Sequence, residues 1–104
     1  MNKPVELATL TGAEAAVEML RAHGVDTIFG LCGDTSLPLY DALARSGSIR
    51  HVLTRDERHA AYMADGYSRI KRGRRNGVFA AQAGPGIENA FPGVATAYSD
   101  STPM

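Results

Sequence analysis

The fold is decided by residues 55–69, RDERHAAYMADGYSR, which predict a helix that follows directly on a strand. The preceding residues 50–54, RHVLT, are apolar at their centre and partly β-branched, a pattern typical of buried strands. Asp56 predicts the helix start, because its side chain can accept hydrogen bonds from the free N–H groups of a first turn. Small and apolar residues then recur at spacings of three and four, which predicts a narrow face against a sheet. That face consists of Ala60, Ala61, Met63, Ala64 and Tyr67.

Upstream of this stretch, the sequence predicts two helices separated by a strand. Thr11 and Glu14 form a capping box, and the first helix should bury Ala13, Ala16, Val17 and Leu20. Gly24 suits the left-handed residue that closes such a helix, and residues 25–31 read as a strand. A second helix is expected over residues 36–45, with Ser36 as its cap and Pro38 in its first turn.

Downstream, a third strand is predicted over residues 78–82 and a further helix over residues 87–98. Ala90, Phe91, Val94 and Ala97 are expected to share one side of that helix. Pro92 lies within its first two turns, which predicts a later start or a kink.

The alternation of helices and strands predicts an α/β fold: a three-layer α/β/α arrangement around a parallel sheet. The carboxyl ends of parallel strands lie at one edge, where ligands bind in open sheets. The loops at residues 31–36, 54–58 and 83–89 should therefore meet there.

The composition excludes several classes of protein. The 104 residues contain 11 Lys plus Arg and 11 Asp plus Glu, and this neutral balance argues against a nucleic-acid-binding domain. No stretch has the length and apolar character of a membrane span, and the first ten residues lack the apolar run of a signal peptide. The single Cys32 fits a cytoplasmic protein and is expected to be buried or half-buried. No His or Cys spacing indicates a metal site.

The residues themselves leave two interpretations of what the carboxyl edge of the predicted sheet binds. In one, Gly84-Pro85-Gly86 binds a phosphate at a helix N-terminus, although Asn89 stands where a dinucleotide fingerprint has its third glycine. In the other, Glu57 is the reactive group and the glycines let a flat ligand approach the backbone.

A set of motifs in order resembles the N-terminal pyrimidine-binding (PYR) domain of thiamine-diphosphate enzymes of the acetolactate synthase type. The stretches that carry this resemblance are AAVEMLRAHGV at 15–25, IFGL at 28–31, LPLYDAL at 37–43, MADGYSR at 63–69, GPG at 84–86 and ATAY at 95–98. The resemblance runs from about residue 11 to residue 104 and implies a thiamine-diphosphate-binding fold.

The resemblance implies roles for eight residues. Glu57 matches the glutamate that hydrogen-bonds the N1′ nitrogen of the aminopyrimidine ring and so activates the cofactor. Gly84, Pro85, Gly86 and Asn89 match the segment beside the pyrimidine, and Gly33, Asp34 and Thr35 match a loop on the substrate side.

Residues 32–35, CGDT, depart from the Pro-Gly-Gly-Ala that acetolactate synthases tend to carry in that loop. Asp56 and Arg58 likewise stand where those enzymes tend to have histidine and glutamine. The substrate class is therefore open between a 2-oxo acid, an acyl-CoA and a sulfonated aldehyde.

The resemblance also implies partners beyond this chain. Enzymes of this type have a middle domain and a pyrophosphate-binding domain, which holds Mg²⁺ and the diphosphate, and FAD is a further candidate cofactor. Residues 1–104 are thus expected to be a truncated PYR domain that completes its site with the pyrophosphate domain of a second subunit, in a homodimer or homotetramer. The competing hypothesis is a stand-alone flavodoxin-like domain that binds a nucleotide or a partner without catalysis.

Overall fold

The computed structural model describes residues 9–104 of the chain. Helices and strands alternate along these residues, as the sequence predicts. They are α1 (Gly12–Ala22), β1 (Thr27–Gly30), a short 3-10 helix (Asp34–Ser36), α2 (Leu37–Ser46), β2 (Arg50–Leu53), α3 (Glu57–Lys71), β3 (Val78–Ala80) and α4 (Pro85–Ser99).

The three described strands form a parallel sheet in the order β2-β1-β3. Neighbouring side chains of β1 point to opposite faces of this sheet. Ile28 is buried with Val17 of α1 and Leu43 of α2. Phe29 contacts the ring of Tyr67 in α3, with 6.0 Å between the ring centroids. The α/β/α layering is therefore confirmed, with α1 and α2 on one face and α3 and α4 on the other.

The predicted helix starts are confirmed where side chains cap them. Thr11 Oγ1 accepts from the Glu14 N–H at 3.2 Å, and the Glu14 carboxylate accepts from the Thr11 N–H at 2.8 Å. Asp56 Oδ1 accepts from the Arg58 N–H at 2.7 Å, so α3 begins at the residue that the sequence predicts.

Helix α4 differs from the prediction in its start and in its course. It begins at Pro85 and continues through Pro92 to Ser99. Pro85 occupies the first helical position, where its missing N–H costs nothing. Pro92 removes one internal hydrogen bond, yet the helix persists because its small-residue face packs closely on α3.

That packing also explains which faces were predicted incorrectly. A Cβ on Gly93 would lie 2.5 Å from Ala61 Cβ, so the two helices meet at these small residues. The larger apolar side chains lie outside the contact, with Phe91 68% and Val94 38% exposed. Met63 of α3 is 45% exposed for the same reason, and Ala16 of α1 is exposed as well.

Candidate functional site

The carboxyl edge of the sheet contains a point where the chain changes direction. From central strand β1 the chain crosses to β2 on one side, and from β2 it returns to β3 on the other. The loop after β1 leads to α2 on one face, and the loop after β3 leads to α4 on the opposite face. The crevice between such diverging loops is where open α/β sheets bind ligands.

Glu57 is buried at this edge, as the first residue of α3. Only 8% of its surface is exposed, although a carboxylate in a first helical turn is ordinarily solvated. Asn89 Nδ2, in the second turn of α4, donates to Glu57 Oε2 at 3.2 Å. The amide thus fixes one oxygen of a carboxylate held at the positive end of a helix dipole.

Gly86 lies against this carboxylate because it has no side chain. A Cβ there would stand 3.0 Å from Glu57 Oε1 and 2.9 Å from Gln82 Cβ. Gly84 precedes it as the N-cap of α4, with a φ of +71° that favours glycine. Pro85 then starts the helix. The structure therefore brings Glu57, Gly86 and Asn89 into contact, while Gly84 and Pro85 form the exposed turn that positions them.

The proposed substrate-side loop reaches the crevice through one of its three residues. A Cβ on Gly33 would lie 2.6 Å from the Gln82 carboxamide carbon, so the backbone packs directly on that side chain. Asp34 and Thr35 are exposed in the short 3-10 helix, and their side chains make no hydrogen bond with residues 9–104. Cys32 is exposed, so its expected burial is wrong.

Two residues that the sequence analysis did not assign to the site join its halves. Ser36 occupies the N-cap position of α2, but its hydroxyl makes no capping bond there. Instead Ser36 Oγ donates to Gln82 Oε1 at 3.1 Å, across the crevice from the β1 loop to the β3 loop. The available signal was Gln82 itself, an amide at the end of the predicted strand 78–82 and two residues beyond the observed end of β3.

A third unassigned residue, Tyr40, places its hydroxyl beneath the same edge. The hydroxyl contacts Gly30 at the end of β1, where any side chain would collide with it. It is buried and has no hydrogen-bond partner within the described part of the chain. Burial, with smaller effects from Cys32 and Glu57, raises the pKa of Tyr40 to about 12, so the phenol stays neutral.

The described residues contain neither a candidate metal site nor a candidate membrane-spanning helix. Across residues 9–104, His, Cys, Asp and Glu side chains do not gather in threes in a way that could hold a metal ion. Among the same residues, no helix has both the length and the apolar character needed to cross a bilayer.

The fold and this edge together define a parallel α/β domain with a buried carboxylate at the carboxyl edge of its sheet. The chain belongs to the thiamine pyrophosphate enzyme family: residues 10–104 match its N-terminal TPP binding domain. The resemblance inferred from the sequence is confirmed.

Individual relatives agree with this assignment. The acetolactate synthase large subunit of Buchnera aphidicola is 48% identical over 95 residues, covering 91% of this chain and 16% of the relative. The acetolactate synthase of Arthrospira platensis is 47% identical over 98 residues, covering 91% of this chain and 17% of the relative. A probable 2-ketoarginine decarboxylase of Pseudomonas aeruginosa is 47% identical over 96 residues, covering 92% of this chain and 17% of the relative. The chain thus spans about one sixth of the length of these relatives.

Proposed function

We propose that this chain supplies the pyrimidine side of the active site of a thiamine-diphosphate-dependent carboligase or decarboxylase that acts on 2-oxo acids. Glu57 is the cofactor-activating carboxylate of this proposal. The burial of that carboxylate against Gly86, with Asn89 bound to one of its oxygens, carries the assignment. Membership of the thiamine pyrophosphate enzyme family supports the choice of cofactor.

The residues present fit an aminopyrimidine ring. Asn89 Nδ2 donates to Glu57 Oε2. The other oxygen, Oε1, accepts no side-chain hydrogen bond from residues 9–104 and remains available to a ring nitrogen. The absent side chain of Gly86 leaves flat backbone beside this oxygen. Gly84, Pro85, Gly86 and Asn89 would then hold the pyrimidine, and Glu57 would hold or release a proton at the ring nitrogen.

Bound thiamine diphosphate supplies an electron sink for the bonding electrons that remain when a 2-oxo acid loses carbon dioxide. The contribution of this chain is to orient one carboxylate and to shield it from water. Asn89 fixes the plane of the Glu57 carboxylate, and the low exposure of Glu57 keeps its hydrogen bond strong, because little water competes for it. On the substrate side, Gly33 would face the substrate in the crevice, and Asp34 and Thr35 would lie on the exposed part of the same loop.

The partners belong to the same proposal. A pyrophosphate-binding domain of a second subunit would hold Mg²⁺ and the diphosphate, in a homodimer or homotetramer, and FAD is a further candidate cofactor. Acetolactate synthases and a probable 2-ketoarginine decarboxylase match the chain almost equally, which favours the 2-oxo acid class over any single substrate. The comparisons give no support to a stand-alone flavodoxin-like domain.

Steady-state turnover of the full-length gene product tests this function. Pyruvate, 2-oxobutyrate and 2-ketoarginine serve as substrates, with and without added thiamine diphosphate and Mg²⁺. We expect cofactor-dependent release of carbon dioxide from at least one of them. Glu57→Gln should lower kcat by about 100-fold or more, the range for loss of a positioned proton-transfer group.

The matched control is Glu88→Gln, since Glu88 is an exposed carboxylate in the first turn of α4. This variant should keep the wild-type kcat. Turnover that needs no thiamine diphosphate, or a Glu57→Gln variant with the wild-type kcat, would contradict the proposal.

A further inference from the structure

Gln82 lies where the two halves of the candidate site meet. Its carboxamide packs against Gly33 of the β1 loop, at 2.6 Å from a Cβ built on that glycine. Its Cβ packs against Gly86, which also contacts the Glu57 carboxylate. Gln82 therefore occupies the switch-point crevice itself, between the substrate-side loop and the pyrimidine-side turn.

The oxygen end of the Gln82 amide faces the hydroxyl of Ser36. Ser36 Oγ accepts from the Gly33 N–H at 3.0 Å, so its own proton is free to be donated. The Ser36 hydroxyl lies within donating distance of two acceptors, the Gly33 carbonyl at 3.0 Å and Gln82 Oε1 at 3.1 Å. The Gly33 carbonyl also accepts from the Ser36 N–H at 3.0 Å and uses its second lone pair toward the hydroxyl. Gln82 Oε1 is the end of the amide that faces Ser36.

The other end of the amide keeps its hydrogen-bonding capacity. Gln82 Nε2 carries two N–H donors, and neither is used in a hydrogen bond within residues 9–104. A half-buried amide that is held at its oxygen and unused at its nitrogen is suited to bind an oxygen of a ligand. In a 2-oxo acid, both the carboxylate and the keto group offer such oxygens.

We propose that Gln82 is a substrate-binding residue, whose Nε2 donates to the carboxylate or keto oxygen of the 2-oxo acid. Ser36 is the positioning residue that holds the Gln82 amide in this orientation. The inference rests on the proposed function. It adds to that function a specific hydrogen-bond donor on this chain for an oxygen of the substrate.

Two substitutions separate this role from a purely structural tie between the loops. Gln82→Glu keeps an oxygen that can accept from Ser36 but removes both donors and adds a charge. Gln82→Met removes the donors and the acceptor but stays neutral and similar in length. Asn76→Asp is the control, because it makes the same amide-to-acid change in an exposed turn at the other end of β3.

The measurement is calorimetric titration of the full-length protein, first with thiamine diphosphate and Mg²⁺, then with oxamate, an unreactive analogue of pyruvate. Both Gln82 variants should bind the cofactor as the wild type does. Their Kd for oxamate should rise on the order of 10- to 100-fold, as expected for a lost hydrogen bond to a charged group. Asn76→Asp should bind both ligands normally.

Each other pattern overturns the inference. Loss of oxamate binding in Gln82→Met alone would show that Gln82 only ties the loops together, since Glu preserves that tie. Loss in Gln82→Glu alone would show charge repulsion. A wild-type protein that binds cofactor but not oxamate also overturns the inference, whereas one that binds no cofactor contradicts the proposed function instead.

Discussion

Asn89 Nδ2 donates to Glu57 Oε2 at 3.2 Å and so joins the second turn of α4 to the first residue of α3. The two residues are separated by 32 positions in sequence, and the contact between the helices brings them together. Because the Asn89 amide holds a carboxylate that is largely shielded from water, removing this amide should weaken the action of Glu57 on the cofactor.

Asn89→Ala is expected to lower kcat by about tenfold, because a charge-assisted hydrogen bond of roughly 1.5 kcal/mol no longer orients Glu57. In a Glu57→Gln background the same substitution should have little further effect, since residues that act together are not additive. Steady-state kinetics of the four proteins in this cycle give the answer. Independent, additive losses would mean that Asn89 does not act through Glu57.

The glycine at the crossing of α3 and α4 should control stability. Gly93→Ala places a Cβ 2.5 Å from Ala61 Cβ and 2.9 Å from the Ala61 carbonyl carbon. Overpacking of this kind should destabilise the protein by about 1–3 kcal/mol. The matched change is Gly66→Ala in α3, where a Cβ would meet no other atom within 4 Å. This change should stabilise the protein by about 1 kcal/mol, because alanine has a higher helix propensity than glycine.

Urea unfolding of the two glycine variants measures these shifts against the wild type. Equal stability of Gly93→Ala and the wild type would show that the helices separate easily, and would argue against close contact between them.

Acid should weaken α1 through its capping box. Hydrogen bonds from the Thr11 backbone and from Arg45 lower the pKa of the Glu14 carboxyl from 4.5 to about 2. A group whose folded-state pKa is lowered stabilises the protein above its unfolded-state pKa, and this contribution is lost as the pH falls toward the folded-state value. The stability of the wild type should thus decline between about pH 4.5 and pH 2.

Glu14→Gln should flatten this part of the curve when thermal unfolding is followed across that pH range. Glu88→Gln is the control, because the Glu88 side chain makes no hydrogen bond with the described residues. Identical acid profiles for wild type and Glu14→Gln would remove Glu14 from this role.

Arg69 should matter more than other surface arginines. Its guanidinium bonds both Asp65 oxygens at 3.0 Å and Asp100 at 2.7 Å, which ties α3 to the end of α4. Asp65 is only 6% exposed, so Arg69→Met leaves a buried carboxylate without its cation. The melting temperature should fall clearly further than for Arg21→Met, which breaks only the exposed pair with Glu18. Equal melting temperatures for these two variants would contradict this explanation.

Local signals predicted much of the fold because the responsible atoms are close in sequence. The Thr11–Glu14 box joins residues three positions apart and the Asp56 cap joins residues two positions apart, and both form as predicted. The buried faces of α3 and α4 were predicted less well. Hydrophobicity favoured Met63 and Phe91, but the helices meet through Ala61 and Gly93, and the sequence does not state how closely two helices approach.

In the site, too, features that depend on neighbouring residues were predicted, and contacts between distant residues were not. The sequence placed Glu57 at the edge of the sheet, because its position follows from one strand and one cap. The Ser36–Gln82 bond links residues 46 positions apart, and it depends on the strand order that brings β3 beside β1. No local sequence pattern encodes that pairing, so the roles of Ser36 and Gln82 in the site were identified only from the structure.

Hydrogen–deuterium exchange at C2 of bound thiamine diphosphate is the most direct test of the role of Glu57. Exchange is followed by quenched-flow NMR in the full-length wild type, in Glu57→Gln and in the control Glu88→Gln. We predict exchange slowed by about 100-fold or more in Glu57→Gln, the range for losing a positioned proton-transfer group, and unchanged in the control. Exchange at the wild-type rate in Glu57→Gln, with the cofactor bound, would contradict the account.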